Sequence, residues 1–163
     1  MTASDAIRQL IVALEGETAH FRELKEQVAD TTARLPAGQP ETHDIRSVAM
    51  LLTEIYLGAE NLMRQIAKRL EEDIPSGEAW HQQLLMQFST EVSGLRPTLF
   101  SPQTASTLDE FRRFRHVTHH AYASRFDWEQ MSRLLSQAQS LLDMLIADAE
   151  AFWDFLSEAG KDE

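Results

Sequence analysis

Phe111-Arg112-Arg113-Phe114-Arg115-His116-Val117-Thr118-His119-His120-Ala121-Tyr122 packs three arginines, three histidines and a tyrosine into barely three helical turns. No other stretch of the chain is as rich in groups that bind anions or carry protons. On an ideal helix, residues five apart differ by about 140° around the axis, so Arg115 and His120 cannot converge on one small group from a straight helix. Arg115, His119 and Tyr122 can share one face, and His116 and His120 another. Two arrangements remain open: the helix loosens near its end and turns His120 inward, or two copies of the chain each bring Arg115 and His120 to an interface.

On either side of this stretch the apolar residues recur at helical steps. Ile7, Leu10, Ile11, Leu14, Phe21, Leu24 and Val28 predict an amphipathic helix over about Ser4 to Leu35, ended by Pro36-Ala-Gly-Gln-Pro40. Ile45, Val48, Leu52, Ile55, Tyr56, Ala59, Met63, Ile66 and Leu70 predict a second, stopped by Ile74-Pro75-Ser76-Gly77. A third is expected from about Glu78 to Ser93, closed by Gly94-Leu95-Arg96-Pro97 and followed by an extended connector through Phe100. The fourth carries the opening stretch. It starts either at Ser101-Pro102 or at Thr107, which has Glu110 at capping-box spacing, and it is expected to end near Ser124. Asp127 as cap, Gln130 behind it and Phe126 with Met131 as a staple open a fifth helix running to about Ala159. Its apolar stripe from Met131 to Leu156 suits a bundle core or a partner's helix. Lys161 to Glu163 are expected to fray.

Length, composition and charge narrow the class. A chain of 163 residues, 43% hydrophobic and 25% charged, is expected to form one domain over 1–163; six glycines and five prolines leave few tight turns and favour helices. No apolar run is long enough to span a bilayer, and the first residues lack a basic segment followed by an apolar one, so a soluble cytoplasmic protein is expected, with no membrane partner. The absence of cysteine excludes disulfides, thiol nucleophiles and cysteine-based zinc sites. A net charge of −11 argues against a general nucleic-acid coat, so any RNA needs a local basic cleft.

Arg115, four residues, His120, one residue, Tyr122 closely resembles the R-x-x-x-x-H-x-Y signature of HepT-like ribonuclease toxins in the HEPN superfamily. His116 stands where HEPN proteins often carry a polar residue after the arginine, and His119 where many subgroup members carry arginine. Upstream, Tyr56-Leu-Gly-Ala-Glu60, Pro75-Ser-Gly-Glu-Ala-Trp80-His81 with Leu84-Leu85, and Arg96-Pro97 are similar to a HepT-like subgroup. The first helix is generic. The resemblance implies an all-α, HEPN-type antiparallel helical bundle of about five helices with a four-helix up-and-down core, and a homodimer whose motifs face a common cleft. It implies a metal-independent endoribonuclease with no cofactor, in which a 2′-hydroxyl of RNA attacks the adjacent phosphorus. His120 would move the proton and Arg115 would hold the phosphate, since imidazole titrates near neutrality and guanidinium binds phosphate in a fork. DNA lacks that hydroxyl, and no specific DNA binding is expected. Arg112, His116 and His119 are candidate RNA contacts. Tyr56 and Glu60, one helical turn apart, either support the site or are a buried tyrosine and its hydrogen-bond acceptor. Tyr122 is the position to which a cognate minimal nucleotidyltransferase antitoxin would attach AMP, placing bulk and negative charge beside Arg115.

Two other classes compete. Glu17-Thr-Ala-His20 and Glu78-Ala-Trp-His81 have the Glu-x-x-His spacing of di-metal four-helix bundles, although Glu54 points outward and Glu60 is marginal as the further ligands. His116 and His120 have zinc-ligand spacing without an inward carboxylate. A non-catalytic HEPN partner of a nucleotidyltransferase would need only the apolar fifth helix. Trp80 and His81 read as packing residues, with His81 on the apolar side and able to reach the cleft.

Overall fold

Five helices form where the three- and four-residue apolar spacing predicts them: α1 (Ala3–Arg34), α2 (Thr42–Ile66), α3 (Trp80–Phe88), α4 (Pro102–His120) and α5 (Trp128–Ala159). They are seen in a computed structural model that describes residues 3–71, 73–122 and 125–161. Among the described residues the only bridge of β type is the single pair Val92 and Arg96. The expected end of α4 at Ser124, and the fraying of Asp162 and Glu163, lie outside the described residues.

Cross-links between the helices give their directions. Along α1, Glu15, Arg22 and Lys25 meet Trp153, Glu150 and Asp143 of α5 in descending order, so the two run antiparallel. Gln9 meets Arg69 beyond the end of α2, while Phe21 lies against Gly58, which reverses α2 relative to α1. Asp148 accepts from the Ser101 backbone N–H and Arg133 pairs with Glu110, which reverses α5 relative to α4. The result is an all-α bundle of α1, α2, α4 and α5, with α3 inserted against α2 and α4. Its core is one apolar cluster that includes Leu14, Phe21, Leu52, Ile55, Phe88, Phe111, Phe114, Leu141 and Phe152. No helix among the described residues is long and apolar enough to cross a membrane.

Local chemistry sets the boundaries. Of the two possible starts for α4, the chain uses Ser101: its hydroxyl accepts from the Thr104 N–H at 3.2 Å, with Pro102 in the first turn, where its missing N–H costs nothing. Thr107 instead bonds back to the Gln103 carbonyl. Asp127 caps α5 as expected, accepting from the Glu129 N–H at 3.0 Å. The third helix is shorter than the expected 78–93. Ser89 and Thr90 turn their hydroxyls back onto the Leu85 and Met86 carbonyls, and buried Arg96 donates to the carbonyls of Gln87 at 3.1 Å and Thr90 at 2.9 Å. Its guanidinium lies 4.4 Å over the Phe88 ring and its Nε bonds Glu71, so α3 is tied to the five-residue π-helical turn (Ala67–Glu71) that ends α2. Gly94, at φ +75°, makes the reversal that brings Arg96 back.

Two mid-helix glycines give opposite tests of this packing. A Cβ on Gly58 would stand 2.7 Å from Cε1 of the buried Phe21 ring, whereas one on Gly16 would meet nothing within 4 Å. Gly16→Ala should therefore stabilise the fold by about 0.5–1 kcal/mol through helix propensity. In Gly58→Ala an overpacking cost of about 1–3 kcal/mol outweighs the same gain and lowers stability. Urea unfolding of the two variants beside the parent checks both signs.

Candidate functional site

Glu60 is the one carboxylate of α2 in the buried core face, its side chain 5% exposed, and it meets His81 from the first turn of α3. Nδ1 of His81 lies 2.7 Å from Oε2 of Glu60, and Nε2 lies 3.2 Å from Nη1 of Arg115 on α4. A guanidinium can only donate, so Nε2 must accept, and the single proton of a neutral imidazole is then on Nδ1, donated to Glu60. Burial of the ring pushes its pKa below the ordinary histidine range; Glu60 opposes this, and the charges of Arg115 and Arg112 add to it. Trp80 stacks on the imidazole with ring centroids 3.6 Å apart, fixing its plane.

Tyr56, one turn before Glu60, is fully buried, and its ring centroid is 6.3 Å from that of His81. Its hydroxyl closes no hydrogen bond of good geometry, and burial together with the neighbouring Glu60 raises its pKa, keeping the phenol protonated. Tyr56 and Glu60 therefore both lie under the site, yet the partner of Glu60 is His81.

Above this line opens a cleft of about 260 Å³ walled by Arg112, Arg115 and His116 from α4 and by Ala79, His81 and Gln82 from the start of α3, with Glu78 at its edge. No side chain caps the start of α3. The positive end of that helix's dipole and its unsatisfied N–H groups favour an anion there. Arg112 shares Asp109 with Arg113, at 2.7 and 3.1 Å. Arg115 makes no ion pair among the described residues, and its buried Nε has no partner. A cation desolvated on one side, oriented by a neutral ring and left without a carboxylate, is suited to receiving an oxyanion.

The helix is unbroken through His120 and turns extended only at Ala121 (φ −125°, ψ 149°), so the arrangement in which it opens ahead of His120 is corrected. His116 and His120 share a face as expected, their ring centroids 5.0 Å apart, and His119 stands 6.4 Å from His120. All three are exposed. His116 walls the cleft, and His120 is not among the residues that line it. Tyr122 has left the helix; it is 77% exposed, with Arg125 5.9 Å over its ring, so it does not share a helical face with Arg115.

The paired Glu-x-x-His arrangement is corrected as well. His81 is taken by Glu60 while Glu78 is exposed, and Glu17, half-buried on α1, is held above the usual carboxylate range by burial, with His20 and Asn61 opposing. Among the described residues, no three His, Asp or Glu side chains are grouped to hold a metal ion, which also leaves His116 and His120 without further ligands. The residue whose role the sequence missed is His81, which reads there as a packing residue able to reach the cleft. Its signals were its place on the apolar side of α3 and in the stretch Pro75 to His81 that resembles the HepT-like subgroup.

Because His81 is held neutral, the folded chain takes up its proton less readily than the unfolded one. Its contribution to stability is complete above about pH 6.5 and is lost as pH falls below that value. Protonation would also turn Nε2 into a donor facing Arg115. Denaturation midpoints measured across this range should fall toward low pH in the parent and fall less in His81→Gln; equal pH slopes in the two would refute the assignment.

A family model described as HepT-like protein matches residues 47–156, from the first turns of α2 into the last turns of α5. No curated protein and no solved structure matches the chain.

Proposed function

The chain belongs to the HepT-like protein family, of HEPN type, and from that premise we propose that it is a metal-independent endoribonuclease, the toxin of a toxin and antitoxin pair with a minimal nucleotidyltransferase. The observation that carries this reading is Arg115, held by His81 at the wall of a cleft and free of any carboxylate among the described residues. The scissile phosphate docks against Arg115 with Arg112 beside it. A neutral His120 takes the proton of the ribose 2′-hydroxyl as that oxygen bonds to phosphorus, and the bond to the 5′-oxygen breaks. The leaving oxygen collects a proton, leaving a 2′,3′-cyclic phosphate and a 5′-hydroxyl. Arg115 offsets the charge that builds on the phosphoryl oxygens in the transition state.

His120 and Arg115 face different ways on one straight helix. The reading therefore includes a homodimer in which two α4 helices bring their motifs to one cleft, with His116 and His119 contacting RNA at its rim. Placement in the cytoplasm, where RNA and a nucleotidyltransferase are both at hand, belongs to the same proposal. Exposure of Tyr122 supports its use as the AMP acceptor, because a modifying enzyme can reach the hydroxyl without unfolding the bundle.

Cleavage of a single-stranded RNA in chelator should fall by about 100-fold or more in Arg115→Ala and in His120→Ala, and the product should carry a cyclic phosphate. Full activity in both variants would refute the mechanism. Co-expression with an active minimal nucleotidyltransferase should add one AMP to the intact mass, and Tyr122→Phe should abolish that increment; an increment that persists in the variant would move the modification elsewhere.

A further inference from the structure

Beyond the cleft, Arg64, whose guanidinium stands over the Trp80 ring, lines a second hollow that no step of the reaction uses. It holds about 340 Å³ and is lined by Asn61, Arg64, Gln65, Lys68, Arg69 and Ile74. The π-helical turn at Ala67–Glu71 widens the end of α2 and presents Lys68 and Arg69 there, one turn after Arg64. None of these three cations forms an ion pair among the described residues: Arg69 bonds the amides of Gln65 and Gln9, and the nearby Glu71 is occupied by Arg96 and Gln87. In a chain of net charge −11, three cations without an ion pair among the described residues share one hollow.

A line of neighbouring side chains runs from the cleft to this hollow. Arg115 reaches His81 at 3.2 Å, His81 stacks on Trp80 at 3.6 Å between centroids, and the Arg64 guanidinium stands 5.7 Å over the indole. That last separation exceeds a stacking contact, and Arg64 is an exposed side chain, so a nucleobase can take its place on the indole while the guanidinium moves to a phosphate.

We infer that this hollow is a second RNA subsite: it binds the single-stranded segment next to the scissile phosphate, with Arg64 and Lys68 on its phosphates and Trp80 as the platform for one base. RNA as the ligand rests on the ribonuclease reading. The hollow reads backbone charge and a stacked base, so it contributes affinity and the polarity of the bound strand rather than a base sequence.

A labelled 2′-O-methyl oligonucleotide of roughly ten residues, which cannot be cut by 2′-hydroxyl attack, separates binding from cleavage. Its affinity is read by fluorescence anisotropy across a salt series. Arg64→Gln with Lys68→Gln, both exposed positions where the fold is not at stake, should weaken binding and make the slope of log K against log salt shallower by about 1.4, the value for two phosphates of a single strand. Trp80→Leu should weaken binding roughly 5- to 100-fold, while Trp80→Phe, which keeps an aromatic face, retains most of the affinity; melting temperatures of the two show whether the platform variants are folded. Parental affinity and salt slope in the Arg64 and Lys68 double variant would overturn the subsite while leaving the cleft intact. Loss of slope in that variant, from a parent that binds but never cuts RNA, would uphold the subsite and overturn the ribonuclease reading. A parent that binds no oligonucleotide overturns both.

Discussion

A buried carboxylate decides which way an arginine faces. Glu60 accepts a hydrogen bond from the Nδ1–H of His81, which leaves Nε2 as a lone pair, and a lone pair at that point is what Arg115 can bond. Replace the acceptor by a donor anywhere along this line and two N–H groups would oppose each other in a partly desolvated place, at a cost that breaks the contact. The arrangement orients the guanidinium without neutralising it. A carboxylate set directly against Arg115 would fix it equally well, but it would compete with any phosphate for the same fork. A neutral relay separates the two tasks, holding the cation still and leaving its charge for a ligand.

The bundle exists, from this point of view, to bring three elements to one line. Glu60 comes from α2, His81 from α3 and Arg115 from α4, and α3 is the element with least to hold it, nine residues long and outside the four-helix core. Its C-terminal end is secured by Arg96, whose guanidinium spans carbonyls of Gln87, Thr90 and Pro97, covers Phe88 and bonds Glu71. Its N-terminal end is anchored by His81 on Glu60 of α2. Arg96 is thus a structural arginine and Arg115 a presented one, and bonding separates them: Arg96 bonds Glu71 and three carbonyls, whereas Nε of Arg115 has no partner among the described residues.

The helices were legible because their apolar periodicity is long and uninterrupted. Met131 to Leu156 and Leu10 to Val28 predicted α5 and α1 to within a residue or two at each end. The third helix was overextended because Val92 fits the apolar pattern, yet carbonyl capping by Arg96 depends on a residue brought back by a turn, which no local spacing reveals. The relay was half legible. Tyr56 and Glu60 stood out at helical spacing, either as support for the site or as a tyrosine and its acceptor, and only tertiary packing puts His81 between Glu60 and Arg115. Geometry on a helical wheel correctly separated Arg115 from His120 and grouped His116 with His120. It could not tell that α4 stays straight to His120, since that depends on how the segment after Ala121 leaves the helix.

The state of a single imidazole therefore tests the account most directly. Long-range ¹H–¹⁵N correlation spectra of the histidine rings at neutral pH, with His81 assigned by comparison with His81→Gln, report which ring nitrogen carries hydrogen. The account predicts a neutral His81 with the proton on Nδ1 and a bare Nε2, persisting below the pH at which an unperturbed histidine is half protonated. A proton on Nε2, or an imidazolium at neutral pH, would mean that Arg115 is not held by this ring and would contradict it.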